Sequence, residues 1–99
     1  MEKTIIIEIF ELLRGMKVVA NESEFSKDWL VRSECYLRSV RFKGTKPSVG
    51  AIAICASKLQ HYGNRLVKQT NHRELGQRFL LLSEQCHAQI NAQSKAIWL

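Results

Sequence analysis

Residues 23–59 read SEFSKDWLVRSECYLRSVRFKGTKPSVGAIAICASKL, and the order of helix signals along them decides the fold. Ser23 is a good helix N-cap, and Asn21 with Glu24 has capping-box spacing, so a helix starts at one or the other. Phe25, Trp29 and Leu30 give it an inward stripe, Lys27 and Asp28 point out, and it stops around Val31-Arg32. Ser33 is the next N-cap candidate. Behind it Tyr36, Leu37 and Val40 make an inner face and leave Glu34, Arg38 and Arg41 outside. Gly44 ends this helix and Pro47 lies just beyond. Ser48 caps another, in which Val49, Ile52, Ala53, Ala56 and Leu59 recur at helical spacing. The stretch is helix, tight turn, second helix, basic loop, third helix. Two short helices joined in this way can set one exposed helix in the major groove of DNA.

The same periodicity extends outward in both directions. Over residues 3–14, Ile6, Ile9, Phe10 and Leu13 share a helical face with Ile5 and Leu12 at its margin, and Gly15 is a natural stop. Glu2, Glu8 and Glu11 lie mostly elsewhere, and early acids suit the helix dipole. Ile5, Ile7 and Ile9 also alternate as a strand would, but no second good strand exists to pair with them. Gly63 ends or bends the helix begun at Ser48, and Leu66 and Val67 suggest that it resumes. Thr70–His72 is the one plausible linker. Asn71 and Glu74 then open a last helix at capping-box spacing, expected over residues 72–95, in which Leu75, Phe79, Leu82, Cys86 and Ile90 recur every three or four residues. The expectation is a single all-α domain of five helices over residues 1–99, with a helix-turn-helix core at 23–59 and a long C-terminal helix.

Charge sorts the function classes. The chain has 99 residues and a formal net charge of +6, unevenly spread. Residues 1–26 are net −2, residues 27–57 and 58–78 are each net +4, and residues 79–99 are neutral. Six of the 20 residues from 27 to 46 are Lys or Arg, against Asp28 and Glu34. A central basic belt of this kind attracts polyanions. Cys35, Cys55 and Cys86 have no CxxC spacing and no secretory leader before them, so reduced thiols and a cytoplasmic location are expected. The longest apolar run is too short for a bilayer, and no membrane partner is expected.

The pattern Phe25-Ser26, Trp29, Ser33 and Leu37 resembles the helix-turn-helix of phage-repressor-like regulators, the Cro and lambda repressor class. Gly44, Pro47-Ser48, Ile52, Ala56 and Leu59 fall where that family's recognition helix gives way to its fourth helix, and the likeness covers about 37 residues. Two features depart from it. The family's turn usually holds a glycine, whereas Leu30-Val31-Arg32 stands here with one residue more, so this turn must avoid positive φ or accept strain. A glutamate typical near the end of the recognition helix is replaced by Arg41.

The resemblance implies a small transcriptional regulator that binds duplex DNA as a homodimer. The DNA-facing set expected from it is Arg32, Ser33, Glu34, Arg38, Arg41, Lys43 and Lys46. Arg38 and Arg41 would meet bases or phosphates, Arg32 and Ser33 would offer a helix N-terminus to phosphate, and Lys43 and Lys46 would hold the backbone. The stripe of the last helix either covers the core or forms a dimer seam, with Phe79, Leu82, Cys86, Ile90 and Trp98 as the contact residues. Trp98, between Ile97 and Leu99, either folds back or covers a partner. The altered turn and this apolar end also fit a second class, an interaction module that binds and silences a transcription factor. Trp29 and Tyr36 lie on inward stripes and belong to the core rather than to a base-stacking platform. His61, His72 and His87 are too scattered to bind a metal, no catalytic constellation is visible, and the pattern calls for no cofactor and no enzyme.

Overall fold

Thr4 opens the first helix, its hydroxyl accepting the Ile7 amide at 3.3 Å. A computed structural model describes residues 4–98. Glu2, Lys3 and Leu99, which belong to the expected start of the first helix and to the terminal apolar triplet, lie outside the described residues. Helix α1 (Ile5–Gly15) buries Ile6, Ile9, Phe10 and Leu13, the face that its periodicity indicates. The alternating isoleucines do not form a strand, and no strand occurs among the described residues. Gly15 is the last helical residue, but the chain reverses two residues later. Lys17 takes φ 63, with its amide bonded to Arg14 O and the Val18 amide to Leu13 O. This is a Schellman closure with lysine in the left-handed position that glycine usually fills.

Helix α2 (Glu22–Asp28) is capped by Asn21, whose Oδ1 accepts the Glu24 amide at 2.9 Å. Ser23, the rival cap, lies inside the helix. The helix also stops short of Val31, because Trp29 and Leu30 leave the helical path to enter the core at 5% and 0% exposure. Helix α3 (Tyr36–Lys43) starts three residues after Ser33. Ser33 supplies its backbone carbonyl to the Tyr36 amide at 3.0 Å rather than a side-chain cap. Gly44 closes α3 at φ 65, with the Gly44 amide on Arg41 O and the Thr45 amide on Val40 O, both at 3.2 Å. The second closure has the same pattern as the first, here with the residue that suits it.

Helix α4 (Val49–Leu66) begins at its expected cap, Ser48 Oγ accepting the Ala51 amide at 3.2 Å. It runs unbroken through Gly63. The expected linker Thr70–His72 is a 3-10 turn, and it feeds directly into helix α5 (Arg73–Trp98) in place of a capping box at Asn71.

The α4–α5 hairpin is the backbone of the domain. Its pairing runs antiparallel, from Gly63 against Gly76, through Ser83 Oγ donating to Ala56 O at 2.8 Å, to Gln93 Nε2 donating to Pro47 O at 2.9 Å. At the closed end the two backbones nearly touch. A Cβ on Gly76 would lie 2.6 Å from Val67 N and 2.9 Å from Gly63 O. Glycine at 63 therefore serves close approach, not a bend. Helix α1 lies against α5, with Glu8 and Arg78 paired at 3.9 Å on the rim. Phe10 meets Phe25 with ring centroids 5.5 Å apart, which joins α1 to α2 in one core.

Candidate nucleic-acid interface

Ser26 holds the two short helices in register. It is fully buried, and its hydroxyl accepts the Leu37 amide at 3.1 Å. The first turn of a helix carries amides without intrahelical partners, and Cys35 at the head of α3 provides no side-chain cap. A serine from the preceding helix fills that gap from across the interface. The small residue after Phe25 thus has two effects. It lets α3 sit close, and it satisfies an amide at the start of that helix. Leu37, fully buried next to it, anchors the inner side of α3.

The connection over residues 29–35 makes the sharpest demand on the backbone. Val31 takes φ 52 and stands 59% exposed. A β-branched residue in the left-handed region is a genuine outlier, so the glycine-free turn accepts strain rather than avoiding positive φ. The Arg32 amide donates to Ser26 O at 3.0 Å, which ties the turn back to α2. The Arg32 guanidinium reaches Val31 O at 3.1 Å, Leu30 O at 3.4 Å and Ser48 Oγ at 3.3 Å, and lies 6.0 Å from the centre of the Tyr36 ring. The Tyr36 hydroxyl in turn accepts the Ser48 amide at 2.8 Å. Arg32, Tyr36 and Ser48 form a knot that fastens the turn and the start of α3 to the start of α4. Arg32, expected to face phosphate, makes three hydrogen bonds within the protein.

Helix α3 presents an outer face formed by two rows. Arg38 and Phe42 are four residues apart, as are Ser39 and Lys43, and all four are exposed. Arg38 leans on Cys35, Nη2 to Sγ at 3.2 Å. Arg41 follows Leu37 by four residues, so it lies on the side of the helix turned toward α2, where it pairs with Glu22. Both arginines are exposed and border the same groove, but Arg41 is paired with Glu22 and braces α3 against α2, whereas Arg38 leans on Cys35. Ser33 and Glu34 are exposed on the turn, and Glu34 borders a shallow depression with Arg14, Asn21 and Arg38. Lys43 and Lys46 are exposed on either side of Gly44. Buried Pro47, tethered by Gln93, fixes the loop that carries Lys46.

Phe42 is a surface residue that the sequence reading missed. It is 91% exposed, at the edge of a groove of about 800 Å³ between α1 and α3 that Ile7, Val40 and Pro47 help line. Its spacing of four from Arg38 was the available signal.

The basic belt is two clusters, not one. Arg38, Lys43 and Lys46 sit on and after α3. Arg65, Lys68 and Arg73 gather where α4 turns into α5, at the far end of an 18-residue helix, about 27 Å long. A single face does not collect all the positive charge.

The expected dimer seam is corrected in most of its members. Phe79, Leu82 and Cys86 are 4%, 2% and 0% exposed, and close the core of one chain. Ile90 is half-buried against the same core. The α5 stripe is thus used up by α4 and α1. Trp98 and Ile97 remain at the surface, 67% and 82% exposed. Cys55 and Cys86 meet inside the hairpin, where the hydrogen bond with Cys86 and burial together push the Cys55 thiol well above its ordinary range. All three cysteines are thiols, with Cys35 the half-buried one. Among the described residues no group of three metal-ligating side chains assembles, and no helix is long and apolar enough to cross a membrane.

No curated protein and no solved structure matches the chain. One family model does, over residues 6–99, which takes in all five helices but the first residue of α1. The chain belongs to that family, DUF6626, a family of unknown function.

Proposed function

We propose that this protein is a small transcriptional regulator that binds duplex DNA through a repressor-like helix-turn-helix, α2 and α3. The observation that carries this reading is the outer face of α3. It is set on a buried support, Leu37 and the Ser26 bond, and directs Arg38, Ser39 and Lys43 outward with no acidic side chain among them. Lys46 adds a second point of charge on the tethered loop. In this pose Arg38 meets a base edge, while Lys43 and Lys46 meet phosphates. Ile97 and Trp98 at the end of α5 serve the dimer that two half-sites require.

Fluorescence anisotropy with a random-sequence duplex at low salt tests the reading. Binding is expected, and it should weaken as salt rises, by about 0.9 log units in affinity per log unit of salt for each phosphate neutralised. An Arg38→Ala, Lys43→Ala double variant should lose most of the affinity and flatten that slope. Unchanged binding would rule out this face.

A second reading draws support from the same exposed Ile97 and Trp98. They suit an interaction module that silences a transcription factor, a role in which the strained turn has no DNA pose to preserve. A stable complex with such a factor, together with no retention of duplex at low salt, identifies this class instead.

A further inference from the structure

Phe42 is the large apolar side chain that the fold leaves most in water among the described residues. Of the seven large apolar residues that remain exposed among the described residues, it has the highest exposure, at 91%. On one side it borders the groove that Ile7, Val40 and Pro47 help line. On the outer side of α3 Arg38 precedes it by one turn, and Ser39 and Lys43 flank it, so there the apolar point is edged by cations and a hydroxyl. A protein surface that matched this would need an apolar hole with an acidic rim. The major groove has that arrangement built in, because the thymine 5-methyl group is its apolar feature and phosphates border it on both sides.

We propose that Phe42 reads the 5-methyl group of a thymine in the major groove. The inference rests on duplex binding by α3 and names the specificity of that site. Arg38 and Phe42 are separated by four residues, about 6 Å along the helix, which is close to two base-pair steps of about 3.4 Å. Arg38 is suited to guanine O6 and N7. The pair therefore selects a guanine and a thymine one or two steps apart, with Arg38 on the guanine and Phe42 on the methyl. The aromatic ring contributes contact without a hydrogen bond, so its whole preference depends on one carbon atom of the base.

The experiment exploits that dependence. Purified protein selects duplexes from two random pools, one made with thymine and one with uracil, which lacks the methyl group and keeps every hydrogen-bonding atom. The best thymine duplex is then resynthesised with uracil at each thymine in turn and titrated by anisotropy. One position should lose about fourfold in affinity on replacement, the worth of one methyl group taken out of water. Phe42→Ala should bind thymine and uracil versions alike, Phe42→Leu should keep part of the difference, and the salt slope should not change in either. Circular dichroism confirms the fold of both variants, which an exposed position should leave intact. Duplex binding with no methyl-sensitive position, or a preference that survives in Phe42→Ala, overturns the assignment while leaving DNA binding in place. No retention of either pool at low salt defeats the duplex reading itself, and this assignment with it.

Discussion

Val31 shows how a single residue can hold strain that the rest of the structure tolerates. Its φ of 52 places a branched side chain where an L-residue crowds its own carbonyl, and its exposure means that little packing offsets it. Glycine has no such crowding, although it loses more chain entropy on folding. Val31→Gly should therefore stabilise the protein by about 1 kcal/mol net, read as a rise in Tm of about 5 °C by calorimetry. A fall in Tm would show that the exposed valine has a packing role. The alternative posed by the sequence, to avoid positive φ or accept strain, was legible from Leu30-Val31-Arg32. The outcome was not, because the bonds that hold the turn come from Ser26 and Ser48, outside the turn itself.

At the scale of elements, caps and inner faces were readable and helix starts were less so. Asn21, Ser48 and Gly44 all act as their local chemistry indicates. Ser33 does not, since α3 obtains its amide partner from another helix, and no local pattern reveals a cap supplied eleven residues earlier. Arg41 is exposed, as expected, but its pair with Glu22 was not legible for a related reason. Counting from Tyr36 leaves it outside, whereas the helix buries Leu37 most deeply and so turns Arg41 toward Glu22. Gly63 and Gly76 mark a close approach between α4 and α5. Because a Cβ on Gly76 would run into the backbone of Val67 and of Gly63, the helices would have to move apart. Gly76→Ala should cost about 1–3 kcal/mol in chemical denaturation, despite alanine's better helix propensity. A stabilising effect would mean that the hairpin is looser than this packing requires.

Across the whole molecule, the five-helix plan followed from apolar spacing, because each stripe has to be covered by another. What the stripes could not say was by whom. The face of α5 was equally consistent with a seam between chains, and tertiary packing assigned Phe79, Leu82 and Cys86 to the interior instead. Thiol labelling reads this arrangement directly. In the native protein Cys35 should react with a thiol reagent well before the other two, and Cys55 and Cys86 only as fast as the hairpin opens. Mass spectrometry after timed labelling counts them, and early modification of Cys86 would contradict the packing of α5. The Cys55 thiol is held well above its ordinary range in the folded chain. The same hydrogen bond lowers its partner Cys86, so the two shifts oppose one another in any dependence of stability on pH.

The hydrogen bond from the Gln93 side chain to Pro47 has a mechanical consequence. The last stretch of α5 is the mooring of the loop that carries Lys46, and Ile97 and Trp98 lie little more than one helical turn farther on. Whatever grips that tail therefore pulls on, or steadies, the loop at the opposite end of the hairpin from its bend. Cutting the tether with Gln93→Ala should speed amide exchange at Thr45 and Lys46 and leave the protection of α1 unchanged. Such a result would make the tail a throttle on loop motion as well as a surface.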